Sequence, residues 1–178
     1  MVWQALRYGW RWQKIREELQ QRGLRVIGIT GSSGVPLTQE ALLLALSEPN
    51  DTWVSLPSPL RPTYAAAPEL APLLQASSRG AIIPLAVENP GEVDWIVQQI
   101  PFYSALVTRI GSKNLDKFGN KNMVAHEHTS LVSALPKSGH AILNADDELV
   151  SNMAYHTAAQ VVLYGTSTAA TVRLVRSV

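Results

Sequence analysis

Four small residues, Gly31-Ser32-Ser33-Gly34, stand between an apolar, β-branched run, Val26 to Thr30, and a helical segment, Gln39 to Leu46. A strand, a tight small-residue turn and a helix can seat an anion, because backbone N–H groups converge at the positive end of the helix and small side chains let a ligand approach them. In a complete phosphate loop a lysine follows the last glycine and a Ser or Thr follows the lysine; the first places charge on the β- and γ-phosphates and the second a hydroxyl on magnesium. Here those positions hold Val35 and Pro36. Valine brings no charge. Proline brings neither a hydroxyl nor an N–H, although its fixed φ suits the first turn of a helix. Two readings stand: a structural strand-turn-helix, and a phosphate site stripped of its cations.

A second group is Asn144-Ala145-Asp146-Asp147, in "ILNADDELV". Asn144 ends a strand-like run and the acidic pair opens a helix. An aspartate at a helix N-terminus caps free N–H groups and suits the dipole, which explains one of the two aspartates more readily than the whole run. The stretch Val107 to His128 reads as a strand followed by a polar, glycine-containing loop. His126 and His128 lie two apart, so on a helix they face different ways and share no metal. His140 and His156 are distant in sequence, and no Ser/His/Asp spacing suggests a triad. The residues therefore assign no catalytic group and no metal ligand.

The elements that would position these residues alternate. Strand-like runs are Leu24–Thr30, Thr52–Leu56, Ala81–Ala86, Ala105–Ile110, Ala141–Asn144 and Val161–Tyr164, with a further short one at Thr171–Val175. Helix-like stretches between them are Leu37–Leu46, Ala67–Ala76, Gly91–Gln99, Asn122–Leu135 and Asp147–Tyr155. This alternation predicts a three-layer α/β fold with a mostly parallel sheet covered by helices on both faces, and ligands at the carboxyl ends of the strands. Pro57, Pro59, Pro62 and Pro68 mark a stiff, extended loop. Two parts are expected: an amphipathic helix over residues 1–23, stopped by Gly23, and an α/β domain over 24–178. In the helix, Trp3, Leu6, Trp10 and Lys14 recur at helical spacing with basic residues between them. That stripe fits packing on the domain or a missing neighbour, and also a helix at a membrane surface.

Composition bounds the rest. The chain has 178 residues, 46% hydrophobic and 16% charged, which describes a buried globular core. A net charge of +1 gives no case for nucleic acid. The lack of cysteine excludes disulfides and thiol chemistry and suits the cytoplasm. No apolar run is long enough to span a bilayer, and Arg7, Arg11, Lys14 and Arg16 break up any signal-peptide core.

The segments "VIGITGSSG", "ENPGEVDWIV", "LVTRIGSKNLDKFG", "ALPKSGHAILNADDELV" and "VVLYG" resemble, in order and spacing over about residues 24 to 178, the central ATP-binding domain of the Mur ligases, with its P-loop-like frame. Within that family the likeness is to the branch that adds D-alanyl-D-alanine to a UDP-muramoyl tripeptide. The resemblance implies a reaction in which magnesium-ATP phosphorylates a carboxylate and an amine displaces the phosphate. It also implies further domains for the UDP-sugar and the amino acid, which these residues do not include. Carried over position by position, the loop lysine falls on Val35, its hydroxyl neighbour on Pro36, and the magnesium-binding glutamate on or beside Pro84. The histidine near magnesium falls on Asn114, the usual Asn on Arg109, and the carbamylated lysine near His128. Asn144, an adenine contact in the family, survives with Asp146 and Asp147 beside it. The expectation is a catalytically degenerate domain that binds a partner, or weakly ATP without magnesium, through Gly31, Ser32, Ser33, Gly34, Asn144, Asp146 and Asp147. The alternative is the ATP-binding part of an amide ligase of peptidoglycan precursor synthesis working with other domains or chains. A third reading is a module held at the membrane surface, or to an oligomer or protein partner, by its N-terminal helix.

Overall fold

The structure is a computed structural model and describes residues 2–47, 52–75 and 78–175. Seven strands form one parallel sheet in the order β2-β3-β1-β4-β5-β6-β7. They are β1 (Arg25–Thr30), β2 (Trp53–Ser55), β3 (Gly80–Pro84), β4 (Phe102–Val107), β5 (His140–Asn144), β6 (Gln160–Gly165) and β7 (Val172–Arg173). Their central members read as nearly continuous apolar runs because both faces are covered. Alternation within each run sends residues to opposite faces: Ala81 and Ile83 of β3, Ala105 and Val107 of β4, and Ala141 and Leu143 of β5 join one large core. Ile82, Leu106 and Ile142 join a second, smaller core with Ile29 and Val35.

The smaller core lies under a single helix, α2 (Val35–Leu46), whose Leu42, Leu43 and Leu46 pack onto it. The opposite face carries α1 (Val2–Gln21), α3 (Ala71–Gln75), α4 (Glu92–Gln99), α6 (Lys121–Ser133) and α7 (Glu148–Ser151), with the short α5 (Leu115–Phe118) beside α6. The expected three layers are present. The strand order reverses around β1: the chain leaves it for β2 and then β3 on one side, and later crosses to β4 on the other. A crevice at the carboxyl ends follows from that reversal, and both β1 and β4 end in it.

Several sequence boundaries need correction. The fourth strand begins at Phe102 and ends at Val107, not Ala105 to Ile110. Phe102 pairs with Val26, and past Val107 the chain turns away, burying Ile110 in a loop. Pro68 lies in a 3-10 helix, Tyr64–Leu70, that runs into α3, so the expected helix Ala67–Ala76 is split; Ala76 lies outside the described residues. The last expected helix, Asp147–Tyr155, is one α turn followed by a 3-10 turn, Asn152–His156. The loop after β4 contains α5, which the polar composition hid.

Helix α1 is packed on the domain, but through a different face from the one that its spacing suggested. Trp12, Ile15 and Leu19 are buried in the main core, and Trp12 meets Trp95 of α4 edge to face at 5.1 Å. Arg16 donates to the Gln98 carbonyl at 2.6 Å and Arg22 to the Leu74 carbonyl. Trp10 is 59% exposed, and the side chains of Trp3 and Leu6 lie outside the described residues. The apolar positions 12, 15 and 19 fall about half a turn round from the stripe expected through 3, 6 and 10, because a helix this rich in tryptophan offers two aromatic edges and only one meets α4. Gly23, at φ 61°, ends the helix as expected.

Candidate functional site

The turn after β1 has the tight, glycine-closed form that an anion cradle requires. Gly31 has φ 138°, and a Cβ on it would lie 2.1 Å from the Thr108 hydroxyl, so the turn closes only on glycine. Thr108, buried at the exit of β4, donates its hydroxyl to the Ser33 carbonyl at 2.7 Å, and the Ser32 N–H donates to the Arg109 carbonyl at 2.7 Å. Two strand ends thus hold the turn. Gly34 caps α2, and Pro36 sits in the first turn without disturbing the bond from the Thr38 N–H to the Gly34 carbonyl. The N–H groups of Ser33, Gly34 and Val35 enter no hydrogen bond with another described residue. Ser32 Oγ is buried and has no hydrogen-bond partner.

Gly31 to Pro36 form one wall of a pocket of about 140 Å³. Pro59, Leu85 to Val87, Lys113, Asn114, Phe118, Val124 and His128 complete it. The two expected histidine faces are observed: His126 is exposed, whereas His128 is only 3% exposed. His128 Nδ1 lies 2.7 Å from the Thr30 hydroxyl. Burial lowers its pKa to about 4, so the ring is neutral at physiological pH. Asn114 adopts a left-handed conformation at φ 59° and donates its amide to the Val87 carbonyl at 3.0 Å, which fixes the loop. Pro84 ends β3 and offers only its carbonyl, which accepts from the Leu60 N–H at 2.7 Å.

Asn144, Asp146 and Asp147 lie at the neighbouring strand ends, around an open pocket that they share with Arg109, Ile110, Lys121, Glu148 and Leu149. Their side chains form a clasp. Asn144 donates to the Thr108 carbonyl at 2.8 Å and accepts from the Asp146 N–H at 2.9 Å. Asp147 caps α7 by accepting from the N–H groups of Leu149 and Val150, and its second oxygen accepts from the Ile110 N–H at 2.9 Å. Asp146 is not part of the helix; it accepts from the N–H groups of Thr166 and Ser167 beyond β6. Those backbone bonds hold its carboxyl below the usual range. The capping explanation therefore accounts for Asp147, and the other two residues join β4, β5 and β6 at their carboxyl ends.

The structure thus groups the sequence-selected residues into two adjoining sets, the turn and the clasp, linked through Thr108 and Arg109. Sequence reasoning passed over Thr108, Lys113 and Glu127. Thr108 and Lys113 lay inside a quoted stretch, but neither residue type marked them. Buried Glu127, on α6, accepts from the N–H groups of Gly91 and Val93 and so caps α4 from another helix; no local pattern reveals that.

The residues around the turn fit the phosphate of a nucleotide: a turn whose N–H groups at Ser33, Gly34 and Val35 bond no other described residue and a lysine line one pocket. They do not fit magnesium, since the pocket wall holds no carboxylate and its polar side chains are a lysine, an amide, hydroxyls and a neutral imidazole. Among the described residues, no group of three or more His, Cys, Asp or Glu side chains is placed to hold a metal ion.

An all-parallel α/β sheet with a small-residue strand-turn-helix at its switch point defines the class of fold. The family model for the Mur ligase middle domain matches residues 29–177, and the chain belongs to the Mur ligase family. A UDP-N-acetylmuramoyl-tripeptide–D-alanyl-D-alanine ligase of Mycobacterium tuberculosis is 33% identical over 150 residues, which is 83% of this chain and 29% of that protein. The corresponding Escherichia coli K12 ligase is 30% identical over 128 residues, 72% of this chain and 28% of that protein. The chain therefore spans less than a third of the curated relatives it matches. Among solved structures, MurF from Acinetobacter baumannii superposes with a TM-score of 0.77 at 22% identity, covering 88% of this chain and 35% of that one. MurF ligase from Thermotoga maritima in complex with ADP superposes at 0.76 with 20% identity, covering 90% and 37%. At these identities the superpositions speak for the fold.

Proposed function

We propose that this chain is a Mur ligase middle domain that keeps the nucleotide-binding frame and has lost phosphoryl transfer, serving as a binding or scaffold module that takes an adenine nucleotide weakly and without magnesium. The observation that carries this reading is the pocket beside the turn, which retains the anion cradle and has no carboxylate on its wall. Phosphoryl transfer depends on cations placed against developing charge. With Val35 and Pro36 where the lysine and hydroxyl belong, and Pro84 at the end of β3, the charge of a triphosphate and its metal has little to answer it. Binding of ADP with a dissociation constant no tighter than roughly 0.1–1 mM is expected. Calorimetric titration with ADP and ATP, each with and without magnesium, together with a phosphate-release assay, tests the proposal. Micromolar, magnesium-dependent affinity or turnover overturns it.

A second reading, the ATP-binding part of a D-alanyl-D-alanine ligase completed by other domains or chains, is favoured by one observation: the curated relatives named above are such ligases. Turnover that appears only when ligase domains are supplied in trans would establish it. In either case we place the protein in the cytoplasm. Among the described residues no helix is long and apolar enough to cross a membrane. The outer edge of α1, where Trp10 is exposed beneath the Arg11 guanidinium, supports a further contact with a partner or a membrane surface. Vesicle flotation and sedimentation of wild type and Trp10→Ala test that contact.

A further inference from the structure

We propose that Lys113 supplies the positive charge for a phosphate group held on the Gly31–Gly34 turn, taking over from the missing loop lysine, with a magnesium-free adenosine diphosphate as the ligand. This rests on the nucleotide-binding reading above.

Four observations converge on it. Lys113 is the only charged residue among those lining the pocket. It makes no salt bridge with a described residue, so its charge is not already neutralised. Its position is fixed by the next residue: Asn114 is held to the Val87 carbonyl, and its own carbonyl accepts from the N–H groups of Lys117 and Phe118 at the start of α5. Opposite it are groups suited to an anion: the N–H groups of Ser33, Gly34 and Val35, the buried, unpartnered Ser32 hydroxyl, and the almost completely buried His128 ring. His128 Nδ1 is engaged with the Thr30 hydroxyl at 2.7 Å, and its ring forms part of the pocket wall.

The size and chemistry of the pocket set the ligand class. About 140 Å³ accepts a terminal phosphate group, not a whole nucleotide; the remainder of an adenosine diphosphate would extend towards the open pocket at Asn144. A lysine on the wall and no carboxylate make the site attractive to a bare phosphate and unattractive to magnesium. A flexible lysine is a point charge that can reach a phosphate from a different strand end than the usual one.

The test is an NMR titration of the whole chain with ADP and with adenosine, in EDTA and in magnesium, using wild type, Lys113→Ala, Lys113→Arg and, as a control on the same loop, Lys117→Ala. ADP should bind wild type equally in EDTA and magnesium. Lys113→Ala should weaken ADP about tenfold, in line with loss of a charge-assisted hydrogen bond, while leaving adenosine unchanged; Lys113→Arg and Lys117→Ala should bind ADP as wild type does. Circular dichroism melts should coincide, since Lys113 is exposed. If Lys113→Ala binds ADP as tightly as wild type, the role of Lys113 is overturned and the nucleotide-binding reading stands. If wild type binds no ADP, or binds it only with magnesium, both fall.

Discussion

If phosphoryl transfer is lost as proposed, Val35 and Pro36 are tempting as the whole cause, and the geometry around them argues otherwise. Changing Val35 to Lys and Pro36 to Thr returns a charge and a hydroxyl, but Pro84 still ends β3 without a carboxylate and Asn114 is already bound to the Val87 carbonyl. Magnesium leans on carboxylates and substrate phosphates, and a lone hydroxyl holds it poorly. The double variant should bind ATP more tightly and still release phosphate at the blank rate; measurable turnover would mean that the other replacements matter less than argued. His128 makes a separate prediction. Its folded pKa is lowered from 6.5 to about 4 by burial. Above pH 6.5 the ring is neutral whether folded or unfolded, so it confers no pH dependence there. As pH falls from about 6.5 to about 4, the unfolded chain gains a proton that the folded chain refuses, and stability drops by on the order of 3 kcal/mol. Asp146, with its depressed pKa, acts only at lower pH, where its carboxylate is protonated. Melting temperatures measured from pH 7 to 4 should fall for wild type and fall less for His128→Gln; equal slopes would show that His128 is not the group responsible.

At the level of elements, α1 gives the clearest contrast between two tryptophans on one helix. Trp12 is 1% exposed and meets Trp95 edge to face, whereas Trp10 is 59% exposed. Trp12→Ala should cost about 3 kcal/mol or more, the usual loss for a buried large aromatic, and Trp10→Ala within about 0.5 kcal/mol. Chemical denaturation of both variants checks this, and equal losses would mean that the outer edge is also structural. The same helix shows what was legible and what was not. Its existence and its glycine stop could be read from local pattern, because they depend on local propensities. Which face is buried could not, because that is decided by the position of α4 about eighty residues later in the chain. Likewise the strands of the sheet could be recognised as apolar, β-branched runs, and β4 was misplaced by three residues because its end is set by pairing with β1, not by its own composition. The split of the expected helix at Pro68 and the hidden α5 are failures of the same kind, in which short helical turns are held by tertiary hydrogen bonds.

Across the whole molecule, the turn could be read because its chemistry is local, a run of small residues between a strand and a helix. The rest of the pocket is assembled from the segments after β2, β3 and β4 and from α6, and nothing local announced that Thr108 braces the turn, that Lys113 lines the pocket beside it, or that His128 is buried behind it. Asn144, Asp146 and Asp147 were found by residue type, and only the fold shows that each spends its side chain tying one strand end to the next. A nucleotide seated across this region should therefore act as a brace on the carboxyl edge of the sheet. Ligand at free concentration c that binds only the folded state stabilises it by RT ln(1 + c/Kd); at about ten times the dissociation constant this is roughly 1.4 kcal/mol, or a few degrees in melting temperature for a chain of this size. ADP should give that shift, and magnesium should add nothing to it. Hydrogen exchange should slow at residues 31–38 and 109–118, where the turn and the Lys113 loop face each other, and stay unchanged over 12–22, because α1 packs on α3 and α4, away from the carboxyl edge. Protection spread evenly over α1 and the sheet would point to nonspecific stabilisation, and a shift that requires magnesium would restore a metal site that the pocket's side chains do not provide.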